Sequence, residues 1–224
     1  MKLQEVVQTI DHTNVDPEAT EQEIKQLCDE AKEYNFRGAC VKPEWTSLVA
    51  EELEDTDIKV VVLLDEPMGQ SSHEERVEMA KKATEDGADN LDIVMNIVDL
   101  KHEDYDKVLN DLSEIADIQD TKVIIGSGYL SDSEIKKASE LVKESGAICV
   151  KTSTAKSPLG HWELKEKAKH LEIMKEASGL EVKAAGKIRH IEDWELMTNA
   201  GADIIGTSTG AQIAEEVNRD RSGE

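Results

Sequence analysis

Polar-faced runs of helical period alternate with short, continuous apolar runs along the whole chain. The apolar runs predict eight strands: Thr9–His12, Ala39–Val41, Lys59–Leu64, Asn90–Met95, Lys122–Ile125, Ile148–Lys151, Glu181–Lys183 and Asp203–Ile205. They do not alternate with polar residues, as expected of a parallel sheet covered on both faces. Between most of them lies one amphipathic helix. Asp16-Pro17-Glu18 reads as an N-cap with a first-turn proline, ahead of Ile24, Leu27, Cys28, Ala31 and Tyr34 at helical spacing. Ser131-Asp132-Ser133-Glu134 reads as a capping box opening a helix through Ile135, Ala138, Leu141 and Val142, with Gly146 at its C′ position. Gly-Ala recurs at 38–39, 87–88, 146–147 and 201–202, each time between a helix and a strand, where glycine supplies a left-handed turn.

Eight strands with alternating helices in 224 residues predict an α/β protein, a (β/α)8 barrel forming a single domain over residues 1–224. The chain lacks a G-x-G-x-x-G fingerprint, which argues against a dinucleotide site in an open doubly wound sheet.

Charge narrows the partners. The chain carries 49 acidic and 26 basic residues, a formal net charge of −23. Such a surface repels nucleic acid and anionic membranes. The acids are spread along helix faces rather than gathered in a tail, so a folded, self-repelling surface is expected. Molar salt, which shortens the Debye length to about 3 Å, relieves that repulsion. A salt-rich cytoplasm is therefore the expected setting, with an ordinary acidic cytosolic enzyme as the alternative. Cys28, Cys40 and Cys149 form no C-x-x-C pair and read as small core residues. No apolar run approaches the 18 residues of a membrane span, and the first residues turn polar at once; a soluble protein is expected.

The candidate chemistry sits where two of the predicted strands end in lysine: "ICVKTSTAK", with Lys151, and "EVKAAG", with Lys183. A buried ammonium is costly unless it is paired or its pKa falls. In a barrel the active site lies at the C-terminal ends of the strands, so the two lysines can converge in one pocket. A lysine beside a second cation in a desolvated site can act as a free amine and form a Schiff base with a carbonyl. Asp92, inside the fourth predicted strand, can relay protons or form a structural salt bridge. Asp11, at the end of the first strand, can orient the cluster or begin a turn. Gly206-Thr207-Ser208-Thr209-Gly210 follows the last strand and opens a helix, and Gly186 follows the seventh; both loops suit a phosphate. The six histidines show no metal-ligand spacing, and His161 and His170 read as an exposed helix face. Trp45, Trp162 and Trp194 read as helix packing.

The motifs "IDHT", "GADNLDIVMNI", "TKVIIGSGYLSDSEI", "VKTSTAK", "VKAAGKIR" and "ADIIGTSTG" span nearly the whole chain. Through them it resembles the deoxyribose-phosphate aldolases, class I aldolases on a (β/α)8 barrel. The resemblance implies reversible cleavage of 2-deoxy-D-ribose 5-phosphate to D-glyceraldehyde 3-phosphate and acetaldehyde, without a cofactor or metal. It implies Lys151 as the Schiff-base lysine, Lys183 as the lysine that tunes it, and Asp92 as the proton-relay acid. It places Thr152, Lys156, Gly186, Gly206, Thr207 and Ser208 at the phosphate, and it implies a homodimer. A Schiff-base aldolase for another sugar phosphate and a non-catalytic sugar-phosphate-binding barrel are the alternatives.

The sequence departs from the family pattern at four places. Ala155 follows V-K-T-S-T where glycine is usual, and Lys187 follows Gly186 where a second glycine is usual. Gly126 replaces a common glutamate, and "LLDEPMG" stands for a glycine-phenylalanine-proline loop. The chain also ends without the C-terminal tyrosine of some members.

Overall fold

The structure is a computed structural model that describes residues 2–154 and 163–222. Eight parallel strands close into a barrel in sequence order, β1 pairing with both β2 and β8. They are β1 (Ile10–Thr13), β2 (Gly38–Val41), β3 (Lys59–Leu64), β4 (Asn90–Val94), β5 (Thr121–Ile124), β6 (Cys149–Lys151), β7 (Glu181–Ala185) and β8 (Ile204–Thr207). Each lies within two residues of its predicted place. Helices surround them: α1 (Leu3–Val7), α2 (Glu21–Tyr34), α3 (Thr46–Glu52), α4 (His73–Glu85) and α5 (Ile97–Lys101) in the first half. The second half adds α6 (Tyr105–Ala116), α7 (Asp132–Glu144), α8 (Leu164–Ser178), α9 (Ile191–Asn199) and α10 (Gly210–Ser222). This is the (β/α)8 barrel that the hydrophobic pattern predicts.

The strand runs are continuous because they have no solvent face. Val60, Val61, Val62, Leu63 and Leu64 are all buried in β3, as are Leu91, Ile93 and Val94 in β4. Residues pointing outward meet helices, and those pointing inward meet other strands. Burying each such side chain contributes roughly 1.5–3 kcal/mol. Cys28, Cys40 and Cys149 are free and buried, as read from their apolar neighbours.

Three local expectations change. The helix after β1 is capped by Thr20, not Asp16, because Thr20 and Glu23 form a reciprocal capping box that Asp16 cannot offer. Asp16 instead stabilises a short turn by accepting from the Glu18 N–H. The Gly-Ala repeat supplies a left-handed residue at Gly87, Gly146 and Gly201, but before β2 that residue is Asn35. Gly38 is needed for a different reason: a Cβ there would lie 2.9 Å from Asp11 Oδ1. His170 is buried on α8 rather than exposed; His161 and Trp162 lie outside the described residues. Trp194 packs on the barrel as read and donates to Thr9 Oγ1 at 2.8 Å. Among the described residues no helix is long and apolar enough to cross a membrane.

Candidate active site

Strand register converts scattered charges into one cluster. Lys151 and Lys183 are direct partners across the β6–β7 pairing, and Asp92 is the partner of Lys122 across β4–β5. Inside the barrel, Lys151 Nζ donates to Asp92 Oδ2 at 2.6 Å and Lys183 Nζ donates to the same oxygen at 2.8 Å. Lys122 Nζ takes the other oxygen, Oδ1, at 3.2 Å. Lys183 also donates to Asp11 Oδ2 at 2.5 Å, and Arg37 Nη1 donates to Asp11 Oδ1 at 2.8 Å. Lys122 Nζ stands 3.7 Å from Asp11 Oδ2. Asp11, Asp92, Lys122 and Lys183 expose no surface at all.

Two carboxylates thus face three ammonium groups and a guanidinium. Burial pushes the Asp92 carboxyl up, but Lys122, Lys151 and Lys183 outweigh it and hold the group well below the usual carboxylate range. Asp11 behaves alike: burial raises it, and Lys183, Lys122 and Arg37 bring it far below its ordinary value. Lys183 is the mirror case. Burial lowers its pKa, and Asp11 and Asp92 more than restore it, so it stays charged. Burial pushes the nearby Cys149 thiol up to about 12, which leaves it inert.

A cavity of about 670 Å³ opens at the C-terminal end of the barrel. Of the buried cluster, Lys151 alone lies on its wall; Asp11, Asp92, Lys122 and Lys183 sit behind it. Gly186, Gly206, Thr207 and Ser208 line the same cavity, together with Ser153, Thr154 and Lys167. Thr152 stands beside it rather than on it. Its hydroxyl accepts from the Ala185 N–H at 3.1 Å, which ties the segment after β6 to β7. Lys156 and Ala155 lie outside the described residues. Lys187, the departure from the family's second glycine, holds a left-handed φ of 65° beside Gly186 at 89°.

Lys122, Arg37 and Lys167 belong to this site without having been singled out from the sequence. Lys122 carried a usable signal, a lysine inside the continuous apolar run "TKVII". Arg37 and Lys167 carried none, since each reads as an ordinary charge near a helix end or on a helix face.

With that geometry in hand, kinship is decisive. The family model described as DeoC/LacD family aldolase matches residues 5–193. A deoxyribose-phosphate aldolase of Clostridium novyi (strain NT) is 41% identical over 220 residues, covering 96% of this chain and 97% of the relative. The protein of the same name from Thermococcus kodakarensis is 42% identical over 224 residues, covering 96% and 98%. The solved deoxyribose phosphate aldolase of Aeropyrum pernix, described as tetrameric, superposes with a TM-score of 0.87 at 28% identity. That match covers 97% of this chain and 92% of the other. The fold is that of these aldolases, and the chain is an aldolase, a carbon–carbon lyase. The chain belongs to the DeoC/LacD aldolase family.

Proposed function

We propose that the protein is a class I deoxyribose-phosphate aldolase, reversibly cleaving 2-deoxy-D-ribose 5-phosphate to D-glyceraldehyde 3-phosphate and acetaldehyde. The observation that carries the reading is the position of Lys151. It is the one ammonium of the buried cluster on the cavity wall, and it lies 2.6 Å from a carboxylate. The amine form of Lys151 attacks C1 of the open-chain sugar, and loss of water leaves an iminium. The C3 hydroxyl gives up its proton, the C2–C3 bond breaks, and its electron pair flows into the iminium to form an enamine. Glyceraldehyde 3-phosphate leaves with C3 to C5. Protonation at C2 and hydrolysis then release acetaldehyde and the free lysine. Asp92 is close enough to Lys151 to pass protons directly or through one water. Lys183, held charged by Asp11 and Asp92, keeps Asp92 ionised and sets the field at Lys151. Asp11 orients Lys183. Thr152, Lys156, Gly186 and residues 206–208 are assigned to the substrate phosphate, as glycine- and hydroxyl-rich segments at the C-terminal ends of late barrel strands suit an anion.

The same reading includes one barrel domain over the whole chain, a homodimer, and a cytoplasmic enzyme adapted to salt through its excess of 49 acids over 26 bases.

Borohydride trapping tests the chemistry. The protein is incubated with acetaldehyde, reduced and mapped by mass spectrometry. A two-carbon adduct on Lys151, absent from Lys151→Ala, is the expected result. Folded protein without an adduct would rule the mechanism out.

A further inference from the structure

Lys167 lies on α8, outside the buried cluster of Lys151, Lys183 and Asp92. Its side chain is fully buried, yet it belongs to the cavity wall, so it supports that wall from behind. Its ammonium donates to the carbonyl of Ala185 at 2.8 Å and to that of Gly186 through a second short bond. Ser153 Oγ adds a third constraint by donating to the Ala185 carbonyl at 2.9 Å. A Cβ on Gly186 would lie 3.3 Å from both Lys167 Nζ and Ser153 Oγ, so the turn is packed tightly on this clamp.

The clamp has a geometric consequence. In a trans peptide the C=O and the following N–H point in opposite directions. With the carbonyls of 185 and 186 drawn toward Lys167, the N–H groups of Gly186 and Lys187 face the other way. Gly186 and Lys187 both hold left-handed φ values, 89° and 65°. Lys187 is not a glycine, so this turn carries backbone strain and needs an external hold. Successive N–H groups presented by such a turn form an anion-binding concavity.

We propose that Lys167 is a positioning residue for substrate phosphate: by fixing the carbonyls of Ala185 and Gly186 it holds the β7–α9 turn in its anion-binding shape and adds a buried positive charge behind it. The inference rests on the aldolase reading and deepens it. It also gives the clamp a working range. Burial brings the Lys167 pKa down to about 8, with Asp193 on α9 opposing and Lys187 in the turn assisting. His170, one turn along α8, is lowered by burial and feels Lys167 as a further unfavourable charge. Lys167 therefore loses its charge as pH rises through about 8, and its hydrogen bonds to the two carbonyls weaken. The substrate phosphate is already doubly ionised there, its second pKa being about 6.

The test compares kcat and KM for deoxyribose 5-phosphate and for unphosphorylated deoxyribose from pH 7 to 9.5, in the wild type, Lys167→Arg and Lys167→Met. The ratio of the two kcat/KM values cancels titrations that affect both substrates. In the wild type this ratio should fall above pH 8, through KM for the phosphorylated sugar. Lys167→Arg, charged throughout, should remove that fall. Lys167→Met should lower the ratio by about tenfold or more at pH 7, the loss expected for charge-assisted hydrogen bonds. Inorganic phosphate should inhibit it correspondingly less. A wild-type ratio flat across this range overturns the proposal, as does an equal loss for both substrates in folded Lys167→Met. If Lys167→Met does not fold, the wild-type profile and Lys167→Arg still decide. Trapping of acetaldehyde on Lys151 is scored separately. Its absence defeats the aldolase reading, whereas an adduct with a flat ratio defeats only the role of Lys167.

Discussion

Lys151 and Lys183, partners across the β6–β7 pairing, donate to one and the same oxygen, Asp92 Oδ2, at 2.6 and 2.8 Å. Lys183 is buried and charged, while Lys151 reaches the cavity. Replacing Lys183 with leucine leaves Asp92 and Asp11 each short of a cation and removes the fixed charge beside Lys151. Turnover should fall by roughly 10²–10⁴-fold, the scale of losing assisted proton transfer. Formation of the acetaldehyde adduct on Lys151 should slow with it. Steady-state kinetics together with timed borohydride quenching check this; unchanged kcat would show that Lys183 only fills space.

Lys122 donates to Asp92 Oδ1 at 3.2 Å from a fully buried position. Lys122→Met keeps the volume and deletes the charge, leaving Asp92 Oδ1 without its donor while Lys151 and Lys183 still hold Oδ2. Losing a buried hydrogen bond to a charged group costs about 1.5–3 kcal/mol. Urea unfolding should show this as a lower midpoint at unchanged slope.

Gly38 makes room for Asp11. A Cβ there would stand 2.9 Å from Asp11 Oδ1 and 3.0 Å from the Lys59 carbonyl, so neither side can yield without cost. Gly38→Ala should destabilise by about 1–3 kcal/mol, as overpacked cores do. Because the displaced carboxylate also holds Lys183, activity should drop further than after Gly→Ala changes at surface positions; parallel denaturation and kcat measurements test both effects.

The depressed carboxyls make the fold acid-sensitive. Asp11 and Asp92 have folded pKa values far below the unfolded value of about 3.9, so their stabilisation is fully present above it. It is lost as pH falls below that value and onward toward the folded values. Lys183 contributes in the opposite sense: its raised pKa stabilises below about 10.4, and the benefit declines as pH rises beyond the ordinary lysine range. Unfolding free energy should therefore be flat from about pH 6 to 9 as far as these groups decide it. Asp11→Asn, measured in parallel, should weaken the acid slope.

A net charge of −23 makes ionic strength a strong lever. Raising salt from about 0.1 M to 1 M shortens the Debye length from about 10 to 3 Å and screens repulsion between exposed acids. The thermal midpoint should rise across that range. The buried lysine–aspartate cluster, out of reach of ions, should give the same adduct chemistry once the protein is folded. A midpoint independent of salt would remove the case for salt adaptation.

The sequence by itself determined the architecture. Strands buried on both faces must be written as unbroken apolar runs, as in Val60–Leu64, and helices between them need caps such as Ser131 and Glu134. Those are local requirements, legible without knowing any contact. It also exposed Lys151, Lys183 and Asp92, because a charge inside an apolar run conflicts with its neighbours. Asp11 showed more weakly at a strand end. What only the tertiary structure decided was which charge answers which. Lys151 and Lys183 share one oxygen of Asp92 because barrel closure brings β4, β6 and β7 around a common axis. Arg37 and Lys167 look like ordinary solvent-facing charges in one dimension. Closing the barrel aims Arg37 at Asp11, and packing α8 against β7 drives the Lys167 ammonium into the Ala185 and Gly186 carbonyls. Their partners lie 26 and 18 residues away, beyond any periodicity, since such pairing depends on register and closure rather than on local pattern.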